Sequence, residues 1–283
     1  MSLDSVHSVE STRGTLQFVA EAQERLGALP VQVTMREAWL GHAGILEGSR
    51  VLEIGCGTGV VTRDLARLVG PAGRVVGIDP SEALLQTAQR LAEAAGLASR
   101  IELRLGDVRE LDLPPQSFDH VVACMVFMHL GDLREAVRQV HRVLRPGGGL
   151  VVFEQDLESI AVDHPDRALT RIILQHAAEH YVLSADAARR LPGLISAAGF
   201  QDLEVLTFLQ AERHEDGLLH GLLLRLADLA VAQGRIRPES GRAWAQTLEA
   251  KAAEGTFFAS LPHYAVLARK PSFAATWSDE QPI

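Results

Sequence analysis

The chain has little cysteine: Cys56 and Cys124 are the only two among 283 residues. Two lone thiols cannot build a disulfide framework or a four-cysteine zinc site. Long apolar runs are also missing. The longest, residues 121–128 and 221–224, fall far short of the ~20 residues a membrane helix needs, so no membrane span is expected. Cationic residues are outnumbered, with 27 Lys and Arg against 36 Asp and Glu and a formal net charge of −9. A body of that sign repels phosphate backbones, which argues against a general nucleic-acid binder. Residues 1–14 are polar and acidic, without the basic start and apolar run of a secretory leader. No internal repeat or low-complexity tract occurs. These absences predict a soluble, cytoplasmic protein with reduced thiols and no nucleic-acid or membrane partner.

What is present is enough apolar material for a large core: 47% hydrophobic residues against 22% charged. Between residues 50 and 154, short β-rich runs alternate with helical stripes. Residues 50–54, 74–78, 101–105, 118–124 and 150–154 read as strands. Val61, Leu65, Leu68 and Val69 share one helical face; Leu84, Ala88, Leu91, Ala92 and Ala95 share another. Asp132 with Glu135 is a capping pair for a helix carrying Leu133, Val137, Val140 and Leu144. Such alternation predicts an α/β fold, a parallel sheet with helices on both faces. Farther on, Ser184 is expected to cap a helix ending near Gly199. Residues 202–208 read as a sixth strand and 257–269 as the last.

The expected organisation is one sheet with helical additions at its ligand end, not two independent domains. Residues 1–48 form an N-terminal helical cap and 49–155 a ligand-binding core. Residues 156–270 complete the sheet, with helical lid insertions at 156–183 and 212–254. The tail, 271–283, is expected to be disordered.

The sequence Glu53-Ile-Gly-Cys-Gly-Thr-Gly59 lies where the first strand meets the first helix. Glycines there let a backbone approach a ligand, and the helix start offers free N–H groups. The spacing of Gly55, Gly57 and Gly59 is G-x-G-x-G, whereas the dinucleotide fingerprint is G-x-G-x-x-G. Glu53 would sit poorly beside a pyrophosphate but would suit a ligand carrying an ammonium group. A plain tight turn is the competing explanation. Asp79, before Pro80, ends the second strand about 20 residues past the last glycine, the spacing at which an acid accepts from ribose hydroxyls. A helix cap or loop acid competes equally there. Gly106-Asp107-Val108 follows the third strand, and Cys124-Met125 ends the fourth, leading to His129. Leu144-Arg-Pro-Gly-Gly148 precedes the fifth.

These five elements, in this order on successive strand ends, resemble the class I (Rossmann-like) S-adenosylmethionine-dependent methyltransferases. The resemblance covers residues 50–154 well and the remainder weakly. It is similar to the small-molecule branch containing quinone and natural-product methyltransferases. It implies a seven-stranded, mostly parallel sheet whose last strand inserts antiparallel beside the sixth. It implies S-adenosyl-L-methionine as cofactor, S-adenosyl-L-homocysteine as product, and transfer of the sulfonium methyl to O, N or C of a small-molecule acceptor. Cofactor contacts are implied at Glu53, Gly55, Cys56, Gly57, Gly59, Asp79, Pro80, Gly106, Asp107, Val108, Cys124 and Met125. Asp107 would accept from the adenine amino group while the following backbone N–H meets the ring.

Where many relatives carry His-His-Leu-Pro-Asp, this chain has Met128-His-Leu-Gly-Asp132, keeping only the second histidine, His129. A neutral imidazole there could take a proton from an acceptor; packing structurally against the cofactor is an equal alternative. His180 and Tyr181 are candidates for the acceptor pocket, with Leu183, Phe208, Phe257 and Phe258 as apolar lining. His176-Ala-Ala-Glu-His180 matches H-x-x-E-H, but no third ligand is identifiable and no metal is expected. Three other readings stand beside methyl transfer: a nicotinamide oxidoreductase, a cofactor-binding protein without transfer, and a metallohydrolase. The sequence leaves open whether the chain is a monomer or a homodimer.

Overall fold

A computed structural model describes residues 13–214 and 217–272. Two helices come first, α1 (Arg13–Ala28) and α2 (Pro30–His42). The chain then alternates through β1 (Arg50–Ile54), α3 (Val60–Leu68), β2 (Arg74–Asp79), α4 (Glu82–Ala94), β3 (Ile101–Leu105), β4 (Phe118–Cys124), α5 (Leu133–Val143) and β5 (Leu144–Gln155). After β5 come a two-residue strand β6 (Ala161–Val162), α6 (Arg167–His180), α7 (Ala187–Ala197) and β7 (Gln201–Glu212). The described chain finishes with α8 (Leu218–Ala232), α9 (Pro238–Ala253) and β8 (Ala259–Arg269).

The strands form one sheet in the order β3-β2-β1-β4-β5-β8, with β7 and the short β6 both on β8. β1 to β5 are mutually parallel, and β8 runs antiparallel to β5 and β7. The reversal of the last strand agrees with the sequence reading; the strand total does not. The sheet has eight strands because Ala161 and Val162 pair briefly with Ser260 and Ala259, which two residues of sequence cannot announce.

Alternation along β1 divides the core. Leu52 and Ile54 join Val121, Ala123, Leu150 and the inner stripe of α5 on one face. Val51 joins Val75, Val122, Val151 and Phe153 on the other, beneath α3 and α2. Trp39 of α2 is fully buried and stacks on Phe153 with centroids 5.7 Å apart. Burying both faces is what a parallel sheet requires, and it explains the near-continuous apolar strands. Because β1 leads to β2 on one side while β4 lies on the other, their carboxyl ends diverge at a topological switch point, where such sheets bind ligands.

Several local expectations need correction. Asp132 caps α5 as expected, accepting from Glu135 N at 3.0 Å. Ser184 caps nothing: α7 starts after Asp186, with no side-chain cap. The Ser184 hydroxyl donates instead to Leu130 O at 2.8 Å and its N–H to Met128 O at 2.9 Å. A tertiary partner has outbid the local one. The insertion at 156–183 is only partly helical, since a 3-10 turn (Leu157–Ser159) and β6 precede α6. β7 extends to Glu212, into the stretch expected to be a helical lid. Of the tail, Pro271 and Ser272 are described and 273–283 lie outside the described residues, as do 1–12 of the cap.

Candidate active site

The glycine turn is held open by backbone geometry. Gly55, Gly57 and Gly59 all have positive φ, at 64°, 52° and 78°. A Cβ at Gly55 would stand 2.5 Å from Val126 Cγ2, one at Gly57 2.5 Å from Gln23 Oε1, and one at Gly59 3.2 Å from Ala88 Cβ. All three positions disfavour a side chain by conformation, and at Gly55 a Cβ is also excluded by the branched Val126. The turn is pinned across strands: Cys56 N–H donates to Ile78 O at 3.0 Å and Gly57 N–H to Asp79 Oδ2 at 2.9 Å. α3 begins on Gly59, which has no side chain to cap the first turn.

Asp79 is buried at the end of β2, and its other carboxylate oxygen accepts from Ser81 N at 2.8 Å. Pro80 beside it is exposed. Gly106 N–H donates to Asp79 O at 3.2 Å, joining the ends of β2 and β3. Asp107 follows, half-buried, its carboxylate held by the Arg109 guanidinium and by Arg109 N at 2.8 Å. Val108 is buried in the core.

Glu53 lies near the carboxyl end of β1. It is 2% exposed beneath α3, and the Thr62 hydroxyl donates to its carboxylate. Burial pushes its carboxyl up to about 8, with the neighbouring Asp79 charge adding to the effect, so at pH 7 it is mostly protonated. Cys56 and Cys124 are free thiols, pushed upward by burial, and are poor nucleophiles in consequence.

At the end of β4, Met125 has φ 55°, rare for a side chain of its size, and is tied by its N–H to Phe153 O at 2.7 Å. A 3-10 turn, Phe127–His129, follows. Burial holds the His129 imidazole below the usual 6.5, and its Nδ1 has no hydrogen-bond partner among the described residues. The turn hangs on a residue that the sequence reading passed over. Glu154, 1% exposed at the end of β5, accepts from Val126 N and Phe127 N at 2.7 Å each, and from Met128 N at 3.5 Å. Burial raises its carboxyl to about 7 while these three N–H groups oppose the rise. An acid closing an otherwise apolar parallel strand at the ligand end was the available signal.

The acceptor-side candidates do not gather. His180 is exposed, with its ring stacked on His176 at 4.2 Å and its Nδ1 on His176 O at 3.0 Å. Tyr181 is half-buried against the core. Phe257 is fully buried against His220, Phe208 packs edge-on to Phe153, and Leu183 and Phe258 are surface residues. Among the described residues, no group of three or more His, Cys, Asp or Glu is placed to hold a metal.

The methyltransferase domain family matches residues 51–148, the segment from β1 to the turn inside β5. A demethylmenaquinone methyltransferase from Geobacillus stearothermophilus is 31% identical over 184 residues, covering 60% of this chain and 78% of the relative. The chain belongs to the class I S-adenosylmethionine-dependent methyltransferases. An uncharacterised 37.1 kDa protein of a Streptomyces fradiae transposon is 33% identical over 223 residues, 78% of this chain; the chain spans 63% of that relative's length. Among solved structures, the phosphoethanolamine N-methyltransferase 2 of Haemonchus contortus with S-adenosyl-L-methionine shares the fold at TM-score 0.54 and 19% identity. That match covers 84% of this chain and 52% of the other. The family uses S-adenosyl-L-methionine, and the chemistry of the residues at the β1–β2 end fits it: the Asp79 carboxylate is an acceptor of the kind ribose hydroxyls need, and it is bonded to a glycine turn whose positive φ brings backbone N–H groups to the start of α3. Among the described residues no helix is long and apolar enough to cross a membrane.

Proposed function

We propose that this chain transfers the sulfonium methyl of S-adenosyl-L-methionine to O, N or C of a small-molecule acceptor by direct nucleophilic displacement. The observation that carries the reading is the bond from Gly57 N–H to Asp79 Oδ2, which fuses the glycine turn and the acid of β2 into one wall of the switch-point crevice. When bound, the cofactor supplies a methyl group already activated by its positive sulfur. The chain's part is then to bind, align and exclude water. Asp79 receives the ribose hydroxyls, Asp107 and Val108 the adenine edge, and Gly55, Gly57 and Gly59 the amino-acid end. Cys56, Pro80 and Gly106 shape the walls, with Cys124 and Met125 beside the reacting end. Acidic charge and two reduced thiols support a cytoplasmic setting. Titration with S-adenosylhomocysteine, followed by assay of its formation across phenolic, amine and quinone-type acceptors, tests the proposal. No binding overturns it; binding with no turnover on any acceptor favours a cofactor-binding role without transfer.

His129 is assigned as the general base on the acceptor, because burial keeps its ring neutral at pH 7. A histidine whose value lies below 6.5 is a working base above that value and is lost as pH falls through it. Turnover should therefore stay level from pH 7 to 8 and drop only on acidification below the ordinary imidazole value of 6.5. Replacing His129 with alanine should lower kcat ~100-fold, leave S-adenosylhomocysteine affinity within twofold, and abolish the acid limb. Full activity in the variant returns His129 to a packing role.

A further inference from the structure

α1 is fastened onto the glycine turn by side chains that the methyltransferase reading leaves unused. Gln23 Oε1 accepts from Thr58 N–H at 3.0 Å and lies where a Gly57 side chain would have to go. Arg63 of α3 donates to Thr58 O at 2.9 Å and to Glu24 Oε2 at 2.7 Å, so it links the Thr58 carbonyl to the α1 residue next to Gln23. Arg36, on α2, reaches Gly27 O at 3.0 Å and Asp64 at 2.6 Å, fixing the far end of α1 against α3. Gly27 itself comes so close to α3 that a Cβ there would stand 2.6 Å from Val60 Cγ1. Gln23 is therefore a half-buried amide delivered to the turn by a helix locked in place around it.

We infer that Gln23 reads the amino-acid end of the bound donor, exchanging its bond to Thr58 N–H for bonds to the ligand's zwitterion. The inference rests on the cofactor site proposed above. An amide presents an acceptor and a donor side by side, matching an ammonium and a carboxylate together, whereas a carboxylate side chain matches only the ammonium. The Thr58 N–H that Gln23 releases, at the start of α3, is itself a donor suited to a carboxylate.

Calorimetric titration of the full chain with two probes tests this. S-adenosylhomocysteine carries the amino-acid end, and methylthioadenosine lacks it. Gln23→Ala should weaken the first about tenfold and leave the second within twofold. Gln23→Glu keeps an acceptor for Thr58 N–H, so it preserves the docked helix; it should show the same selective loss. Equal affinity for S-adenosylhomocysteine in wild type and both variants overturns the role of Gln23, as does an equal loss for both probes. Failure of the wild type to bind S-adenosylhomocysteine overturns the cofactor site, and the inference with it.

Discussion

Replacing Asp79 with alanine is expected to weaken S-adenosylhomocysteine binding about 100-fold, roughly 2.7 kcal/mol. The size is that of one charge-assisted hydrogen bond, about 1.5–3 kcal/mol, lost from the proposed contact between this carboxylate and the ribose. The same carboxylate also holds Gly57 N–H and Ser81 N–H, so the substitution does not act on ligand alone. The buried Gly57 N–H and the half-buried Ser81 N–H lose their partner, and the unliganded protein should become less stable by about 1–3 kcal/mol. Asp79→Asn separates the effects, since its amide oxygen can still accept one backbone bond. Thermal unfolding without ligand should recover in part, while binding stays weak. Unchanged affinity in the alanine variant would remove Asp79 from the cofactor site.

The second large effect is expected at Glu154. Alanine there leaves Val126 and Phe127 N–H without an acceptor and opens a void under the turn that bears His129. A cost of about 3 kcal/mol is expected from two buried, unsatisfied donors, seen as a fall of ~6–12 °C in Tm. Turnover should fall more than cofactor affinity, because the displaced turn carries His129 and not Asp79. Glu154→Gln keeps one acceptor oxygen and should recover most of the stability. The pH dependence gives an independent check. The folded-state value, about 7, lies above the ordinary 4.5, so this group's contribution is fully present below pH 4.5 and is lost as pH rises through 7. Glu53, raised to about 8, acts in the same direction over a slightly higher range. Wild-type stability should decline between pH 5 and 8, and Glu154→Gln should decline less. Identical urea midpoints for the wild type at pH 5 and pH 8 would contradict the buried-acid account.

Much of this site was legible in the chain itself. The G-x-G-x-G turn could be read because only glycine takes positive φ freely, and the structure finds all three there. The positions of Asp79, at the end of β2, and Asp107, just past β3, were legible because a parallel strand ends where its apolar run ends. The helix capped by Asp132 followed from side-chain chemistry spanning three residues. In each case the deciding interaction is local, between residues close in sequence or within one βα unit.

The contacts that were missed are long-range. Nothing near Glu154 in sequence shows that its carboxylate gathers the amides of residues 126–128, because that meeting exists only once β4 and β5 are paired. Nothing near Glu53 in sequence shows that the sheet and α3 close over it, or that burial raises its carboxyl. Ser184 had the makings of a cap but found Leu130 O. Gln23 is an ordinary helical polar residue until α1 lies on the glycine turn. By itself the sequence determined the strand order's repeating unit, the glycine turn and the acids on successive strand ends, since backbone conformation and side-chain periodicity encode them. Tertiary structure alone decided which buried acids stay neutral, what holds the His129 turn, and that α1 lies on the glycine turn. Desolvation and long-range pairing are properties of the packed chain, and no short stretch of residues carries them.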